Sequence, residues 1–266
     1  MRVCPCSRRQ ALRLAATGLP LWAMPAAFAQ VGDLNDAVNQ AGRQRMLCQR
    51  MVKAWLARGL QVMPERADKV LAESMALFDR QLLALTAFAP TAEILATYQR
   101  LAPLWQQFRQ ALSASSPSAA AAPALLALDA QVLALAQQGT QQLELHGGQP
   151  LGRLVNIAGR QRMLSQRMAK FQLGRRWQAA ADAPAQINRA RQEFLAALDL
   201  LNDAPQATAT IRQELQLARQ QWVFFDNALR KADNAGAQDA TDLFVSSENI
   251  LQVMDRITGL YTRLGA

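Results

Sequence analysis

Residues Asn39 to Lys53 read NQAGRQRMLCQRMVK, and Asn156 to Lys170 read NIAGRQRMLSQRMAK. Twelve of these fifteen positions are identical; Gln40/Ile157, Cys48/Ser165 and Val52/Ala169 differ, at a constant offset of 117 residues. Shared composition does not give two unrelated helices that much identity, so the chain carries an internal duplication. A second match at the same offset, Trp105-x-x-Phe108-x-x-Ala111-Leu112 with Trp222-x-x-Phe225-x-x-Ala228-Leu229, places whole units in register.

Stepping by three and four residues from Leu34 gives Leu34, Val38, Ala41, Arg45, Cys48, Val52 and Trp55, one face of an α-helix. The second copy gives Leu151, Val155, Ala158, Arg162, Ser165 and Ala169. In each copy a single guanidinium interrupts a face of small and apolar side chains. Burying a charge costs several kcal/mol unless an anion or strong acceptors meet it, and neither fifteen-residue motif contains an acid. The partners of Arg45 and Arg162 are therefore the functional question.

The chain is rich in Ala, Leu and Gln, which favour helix, and lacks the β-branched or aromatic alternation that marks strands. It reads as all-α, with two tandem four-helix bundles related by the duplication. In the first repeat the pattern predicts helices from Gly32 to Leu60, with Asp33 as N-cap, from Pro64 to Phe88, from Thr91 to Leu112, and from Ala124 to Leu145. Pro103 is expected to bend the third helix or stagger its start. Ser113 to Pro123 reads as a linker, and His146-Gly147-Gly148-Gln149-Pro150 as the boundary between repeats. In the second repeat the helices are expected at Leu151 to Ala181, Pro184 to Asn202, Pro205 to Lys231 and Asp239 to Leu264. Residues 30–146 and 147–266 thus form the two repeats.

Residues 1–29 read as a twin-arginine signal peptide. Ser7-Arg8-Arg9-Gln10-Ala11-Leu12-Arg13 precedes an apolar run, Leu14 to Trp22, and a small-x-small cleavage site, Ala27-Phe28-Ala29. Gly18, Pro20 and Pro25 interrupt the run, which is too short to span a membrane. The mature chain is expected in the periplasm, exported by the twin-arginine route and not inserted in the membrane. Loss of four arginines with this segment lowers the formal charge from +9 to +5. That modest field suits small anions and argues against nucleic acid. Cys4 and Cys6 leave with the signal, so Cys48 has no disulfide partner and reads as a small buried hydrophobe.

The motif Asn-x-Ala-Gly-Arg-Gln-Arg-Met-Leu-Ser-Gln-Arg-Met-Ala-Lys resembles the signature of the PilJ-type domain, the N-terminal region of type IV pili methyl-accepting chemotaxis transducers. That domain is similar to the periplasmic sensor region of the NarX/NarQ nitrate and nitrite sensor kinases. The resemblance covers both repeats. In the nitrate sensors the motif lies on the first helix of a four-helix bundle, two such helices meet at a dimer interface, and the arginine three positions after the motif glycine holds the anion. It implies that Arg45 after Gly42 and Arg162 after Gly159 are the ligand-binding residues. Arg43 and Arg160 add a second basic residue, as in the PilJ-like branch.

The expected function is a sensor that binds a small anion, nitrate or nitrite by resemblance, between its two motif helices. A planar guanidinium matches such oxyanions with forked donors, and the small pairs Ala41-Gly42 and Ala158-Gly159 let two helices approach closely. Fusing two copies would assemble in one chain the site that the sensors build from two. Signalling is expected to need a separate, membrane-bound partner. A second reading makes the chain an interaction module that docks on a membrane receptor or pilus component without a small ligand.

For the two arginines themselves, pairing with an acid such as Asp129, Glu248, Asp199 or Asp226 competes with ligand binding, as does extension of the head group toward water. Arg43, Arg50, Lys53, Arg160, Arg167 and Lys170 read as helix-surface charges. Gln44, Gln49, Gln161 and Gln166 read as surface or interhelical groups. Met46, Met51, Met163 and Met168 read as core, since no histidine or second thiolate joins them as metal ligands. No catalytic set, metal cluster or phosphate-binding glycine loop is evident, and His146 reads as an exposed loop residue. No enzymatic activity and no cofactor are expected.

Overall fold

The structure is a computed structural model, and it describes residues 31–113, 116–232 and 236–265. The expected signal peptide lies outside the described residues. The described chain forms eight α-helices: α1 (Leu34–Gly59), α2 (Pro64–Phe88), α3 (Ala92–Ser113), α4 (Ala122–Gly147), α5 (Pro150–Gly174), α6 (Ala183–Asp203), α7 (Ala209–Lys231) and α8 (Ala237–Arg263). Among the described residues there is no strand. The all-α, tandem-bundle reading of the sequence is correct.

Local chemistry sets the helix ends. The Asp33 carboxylate accepts from Asp36 N at 2.8 Å and caps α1, as expected. Thr208 caps α7 by accepting from Ile211 N. Pro64, with its preset φ, opens α2. Pro103 lies inside α3, which continues through it. Gly148 ends α4 at φ +59°, a left-handed position that glycine adopts without cost. His146 belongs to the last turn of α4 rather than to a loop, and it is exposed.

Two boundaries differ most from expectation: α7 begins at Ala209 rather than Pro205, and α5 ends early. The fifth helix stops at Gly174 instead of reaching Ala181, and a 3-10 turn, Arg175–Trp177, follows. That turn swings Trp177 against the end of α1, where its ring meets Trp55 edge-on at 5.8 Å. Gly59 lies beneath the same indole, too close for a side chain. A tertiary contact that no local pattern records therefore ends the helix.

Three helices separate α1 from α5, so the up-down-up-down course brings the chain back to its starting end and α5 runs parallel to α1. Asn35 at the start of α1 faces Gly152 at the start of α5, and Leu56 near the end of α1 faces Gly174. The α1–α5 contact is the most extensive in the molecule. Helix α1 also packs on α2 and α4, and α5 on α6 and α8, while α3 and α7 lie outside against α4 and α8. The two Trp-x-x-Phe segments do equivalent work in each bundle: Trp105 stacks on Phe78 at 4.1 Å, and Trp222 on Phe194 at 4.8 Å.

This arrangement encloses α1 from every side. From Ala37 to Ala57 all its residues are buried except Arg43 and Arg50. The surface-charge reading consequently fails for Lys53 and Lys170, which are fully or almost fully buried. Gln44, Gln49, Gln161 and Gln166 are buried as well, whereas Arg43, Arg50, Arg160 and Arg167 are partly exposed. The helical wheel separates an apolar from a polar face, but it cannot tell that a neighbouring helix covers the polar one. The four motif methionines and Cys48 are buried, as expected for core residues.

Candidate functional site

Arg45 and Arg162 project from the paired helices toward one another, and both are 0% exposed. Their Nη2 atoms lie 3.1 and 3.7 Å from the point where a Cβ on Gly42 would stand. On the other helix, a Cβ on Gly159 would stand 3.1 Å from Arg162 Nη2 and 3.8 Å from Thr258. Ala41 and Ala158 are buried beside these glycines on the same helices. The absence of bulk at the four positions is what lets two guanidinium groups share this space.

The hydrogen bonds follow the duplication. Arg45 donates from Nη1 to Gln137 Oε1 on α4 and from Nη2 to Asn156 Oδ1 on α5, both at 2.6 Å. Arg162 donates from Nη1 to Asp255 Oδ1 on α8 at 2.6 Å and from Nη2 to the Asn39 carbonyl on α1 at 3.1 Å. Each arginine thus ties the last helix of its own bundle to the motif asparagine of the other. A further arginine shares each α4 or α8 oxygen: Arg43 reaches Asp255 Oδ1 at 2.8 Å, and Arg160 reaches Gln137 Oε1 at 3.4 Å.

The two half-sites differ in charge. Asp255 neutralises Arg162, whereas both partners of Arg45 among the described residues are uncharged amides. Glu144 and Glu193 act on Arg45 through their charge without touching it: Glu144 accepts from Asn156 Nδ2, and Glu193 pairs with Arg160. Nε of Arg45 and Nε of Arg162 are buried without an acceptor. Burial, then the like charges of Arg160 and Arg162, lowers Arg45 to about 9. Burial and Arg43 lower Arg162 to about 10, with Asp255 acting in the opposite sense. Burial pushes the Asp255 carboxyl up, but the charges and hydrogen bonds of Arg162 and Arg43 outweigh it and hold that group at about 2.

A second polar layer lies further along the helix pair. Lys53 donates to Ser247 Oγ at 2.9 Å and Glu248 Oε1 at 2.6 Å, and Arg50 also engages Glu248. Lys170 donates to Asp129 Oδ2 at 2.7 Å, beside Gln49. Each lysine therefore finds its acid in the other repeat.

The acids expected as partners for Arg45 and Arg162 are committed elsewhere. Asp129 and Glu248 hold the lysines, while Asp199 pairs with Arg219 and Asp226 with Arg191 and Arg230. Asp255 and Gln137 are the residues that the sequence reading missed. They lie on α4 and α8, outside the repeated motif, and are related by an offset of 118 rather than 117. Only the helix register exposes the correspondence.

A cleft of about 700 Å³ opens over α5 between α4 and α6, lined in part by Asp129, Gln137, Arg160, Arg167, Lys170 and Glu193. Gln137 faces it and also contacts Arg45. Among the described residues no group of three or more His, Cys, Asp or Glu could hold a metal ion. No helix of the described residues is long and apolar enough to cross a membrane.

The two bundles are fused along α1 and α5, and each presents one buried arginine at that seam. The family model for the type IV pili methyl-accepting chemotaxis transducer N-terminal domain, PilJ, matches residues 26–133 and again 148–248. The chain belongs to that family and carries two copies of its domain. No curated protein and no solved structure gave a significant match.

Proposed function

We propose that this chain is a periplasmic sensor for a small anion of the nitrate or nitrite type, held between α1 and α5 by Arg45 and Arg162. Residues 30–146 and 147–266 act as the two halves of the sensor, after export by the twin-arginine route and removal of residues 1–29. The observation that carries this reading is the approach of both Nη2 atoms to Gly42 inside a buried interface. Two like charges at that spacing repel, and an oxyanion between them replaces repulsion with charge-assisted hydrogen bonds. Because those charges stand on different repeats, binding favours the closed α1–α5 arrangement over any looser one. That differential affinity is the requirement for a signal to pass to a membrane-bound partner.

Isothermal titration of the mature protein with nitrate, nitrite, sulfate and chloride tests the reading. Saturable binding of at least one anion, weakened in both Arg45→Ala and Arg162→Ala, is expected. No heat and no thermal shift with any of the four would overturn it and favour an interaction module that docks on a membrane receptor or pilus component.

A further inference from the structure

Resting on the anion-binding reading above, we infer that the two half-sites are not equivalent: the anion drawn to both arginines is anchored from the Arg45 side, where Gln137 is its displaceable stand-in, while Asp255 permanently fills the matching place on Arg162. Gln137 Oε1 and Asp255 Oδ1 play the same geometric part, each accepting from the inward arginine of its own repeat and from the outer motif arginine of the other, Arg160 for Gln137 and Arg43 for Asp255. One is a neutral amide oxygen and the other a carboxylate. A carboxylate on a guanidinium is itself a bound oxyanion, so Arg162 already has the ligand that Arg45 lacks.

Three further features favour the Arg45 side. Arg45 is fully buried and its two acceptors are uncharged amides, so no carboxylate touches its guanidinium, whereas Asp255 touches that of Arg162. The Tyr98 hydroxyl, buried and without a partner, feels the charge of Arg45, and Glu214, Leu215 and Gln216 occupy the corresponding stretch of the second repeat. Finally, Gln137 both lines the cleft of about 700 Å³ over α5 and contacts Arg45, so it is the side chain that an anion from the cleft would displace. An anion arriving there meets Arg160 first, then takes over the Gln137 contact to Arg45.

The proposal assigns Gln137 and Asp255 as the residues that determine how many anions bind and where. Titration of the full mature chain with nitrate and nitrite, by calorimetry and thermal shift, tests it on Gln137→Glu, Gln137→Ala and Asp255→Asn. Gln137→Glu places a fixed carboxylate on Arg45 and is expected to weaken binding by roughly a hundredfold or more, with a folded, thermally stable protein. Gln137→Ala, which removes the competing amide, retains or strengthens binding. Asp255→Asn strips Arg162 and Arg43 of their acid, and the stoichiometry rises from one anion per chain toward two.

Wild-type affinity in Gln137→Glu, or an unchanged stoichiometry in a folded Asp255→Asn protein, overturns the asymmetry while leaving the sensor reading intact. Absence of binding in the wild type and in every variant overturns both.

Discussion

Lys170 of the second repeat holds its ammonium 2.7 Å from Asp129 Oδ2 of the first, with both side chains 3% exposed or less. Lys53 makes the reciprocal contact with Glu248. Two buried ion pairs thus cross the seam between the bundles in opposite directions. Each lysine also lies over an aromatic ring, Lys170 over Phe171 at 4.2 Å and Lys53 over Phe244 at 4.5 Å. Such pairs contribute specificity of register more than net stability, because desolvation offsets most of the attraction.

Removing one partner is a different matter, since it leaves an uncompensated charge inside. Asp129→Asn is expected to cost roughly 3–5 kcal/mol in urea-induced unfolding. The double variant Asp129→Leu/Lys170→Met should recover most of that loss. If Asp129→Asn unfolds with wild-type stability, the pair is not desolvated in solution.

Stability should fall in acid through Glu248. Burial raises its carboxyl, but the charge of Lys53 and the hydrogen bonds and charge of Arg50 outweigh this and bring it from 4.5 to about 2. The folded state then binds fewer protons than the unfolded one between these values. The contribution is complete above about pH 4.5 and is lost as pH falls toward 2. Asp255 adds to the same acid limb, less strongly because its side chain is nearly half exposed. Thermal melts across pH 2 to 7 should show this limb, and Glu248→Gln should flatten it.

The alkaline limb has the same sign, since here too the folded state binds fewer protons than the unfolded one. Burial lowers Lys53 from 10.5 to about 8 despite Glu248, so the folded state releases this proton before the unfolded state does. Stability gains a rising contribution between about pH 8 and 10.5. Comparison of wild type with Lys53→Met over that range should reveal it as a difference in slope.

Gly42→Ala separates stability from binding. Alanine adds about 1 kcal/mol of helix propensity. Its methyl would stand 3.1 Å from Arg45 Nη2, a head group already held by Gln137 and Asn156. The unfolding free energy should change by less than about 1 kcal/mol, while affinity for nitrate drops by about tenfold or more. Unchanged affinity would place the anion away from this glycine.

Gly59→Ala should instead act on the fold. Its Cβ would overlap the Trp177 ring and stand 2.6 Å from Pro117 Cβ, so the turn after α5 must move. Overpacking of this kind costs about 1–3 kcal/mol, readable as a lower urea midpoint. Indole fluorescence from Trp55 and Trp177 would report whether that turn is the part displaced.

The duplication, the eight helices and the inward direction of Arg45 and Arg162 were legible because each is a local, periodic property. Identity at a fixed offset marks the repeat, and spacing by three and four marks the face. Asp33, Pro64 and Gly148 carry their end signals within a residue or two of the helix they bound. By contrast, Ala181 was expected inside a helix that ends at Gly174, since the packing of Trp177 on α1 decides that end.

What the sequence determined alone was a doubled helical unit with one buried arginine in each copy. Tertiary structure decided what surrounds them: the covering of the polar faces of α1 and α5, the exchange of Lys53 and Lys170 between repeats, and the meeting of Arg45 with Gln137 but Arg162 with Asp255. The reason is physical. Helix periodicity follows from bonds between residues four apart, whereas the partner facing a side chain depends on how helices distant in sequence slide and rotate against each other. Gln137 and Asp255, outside the repeated motif and offset by 118 rather than 117, reach the two arginines because α4 packs on α1 and α8 on α5.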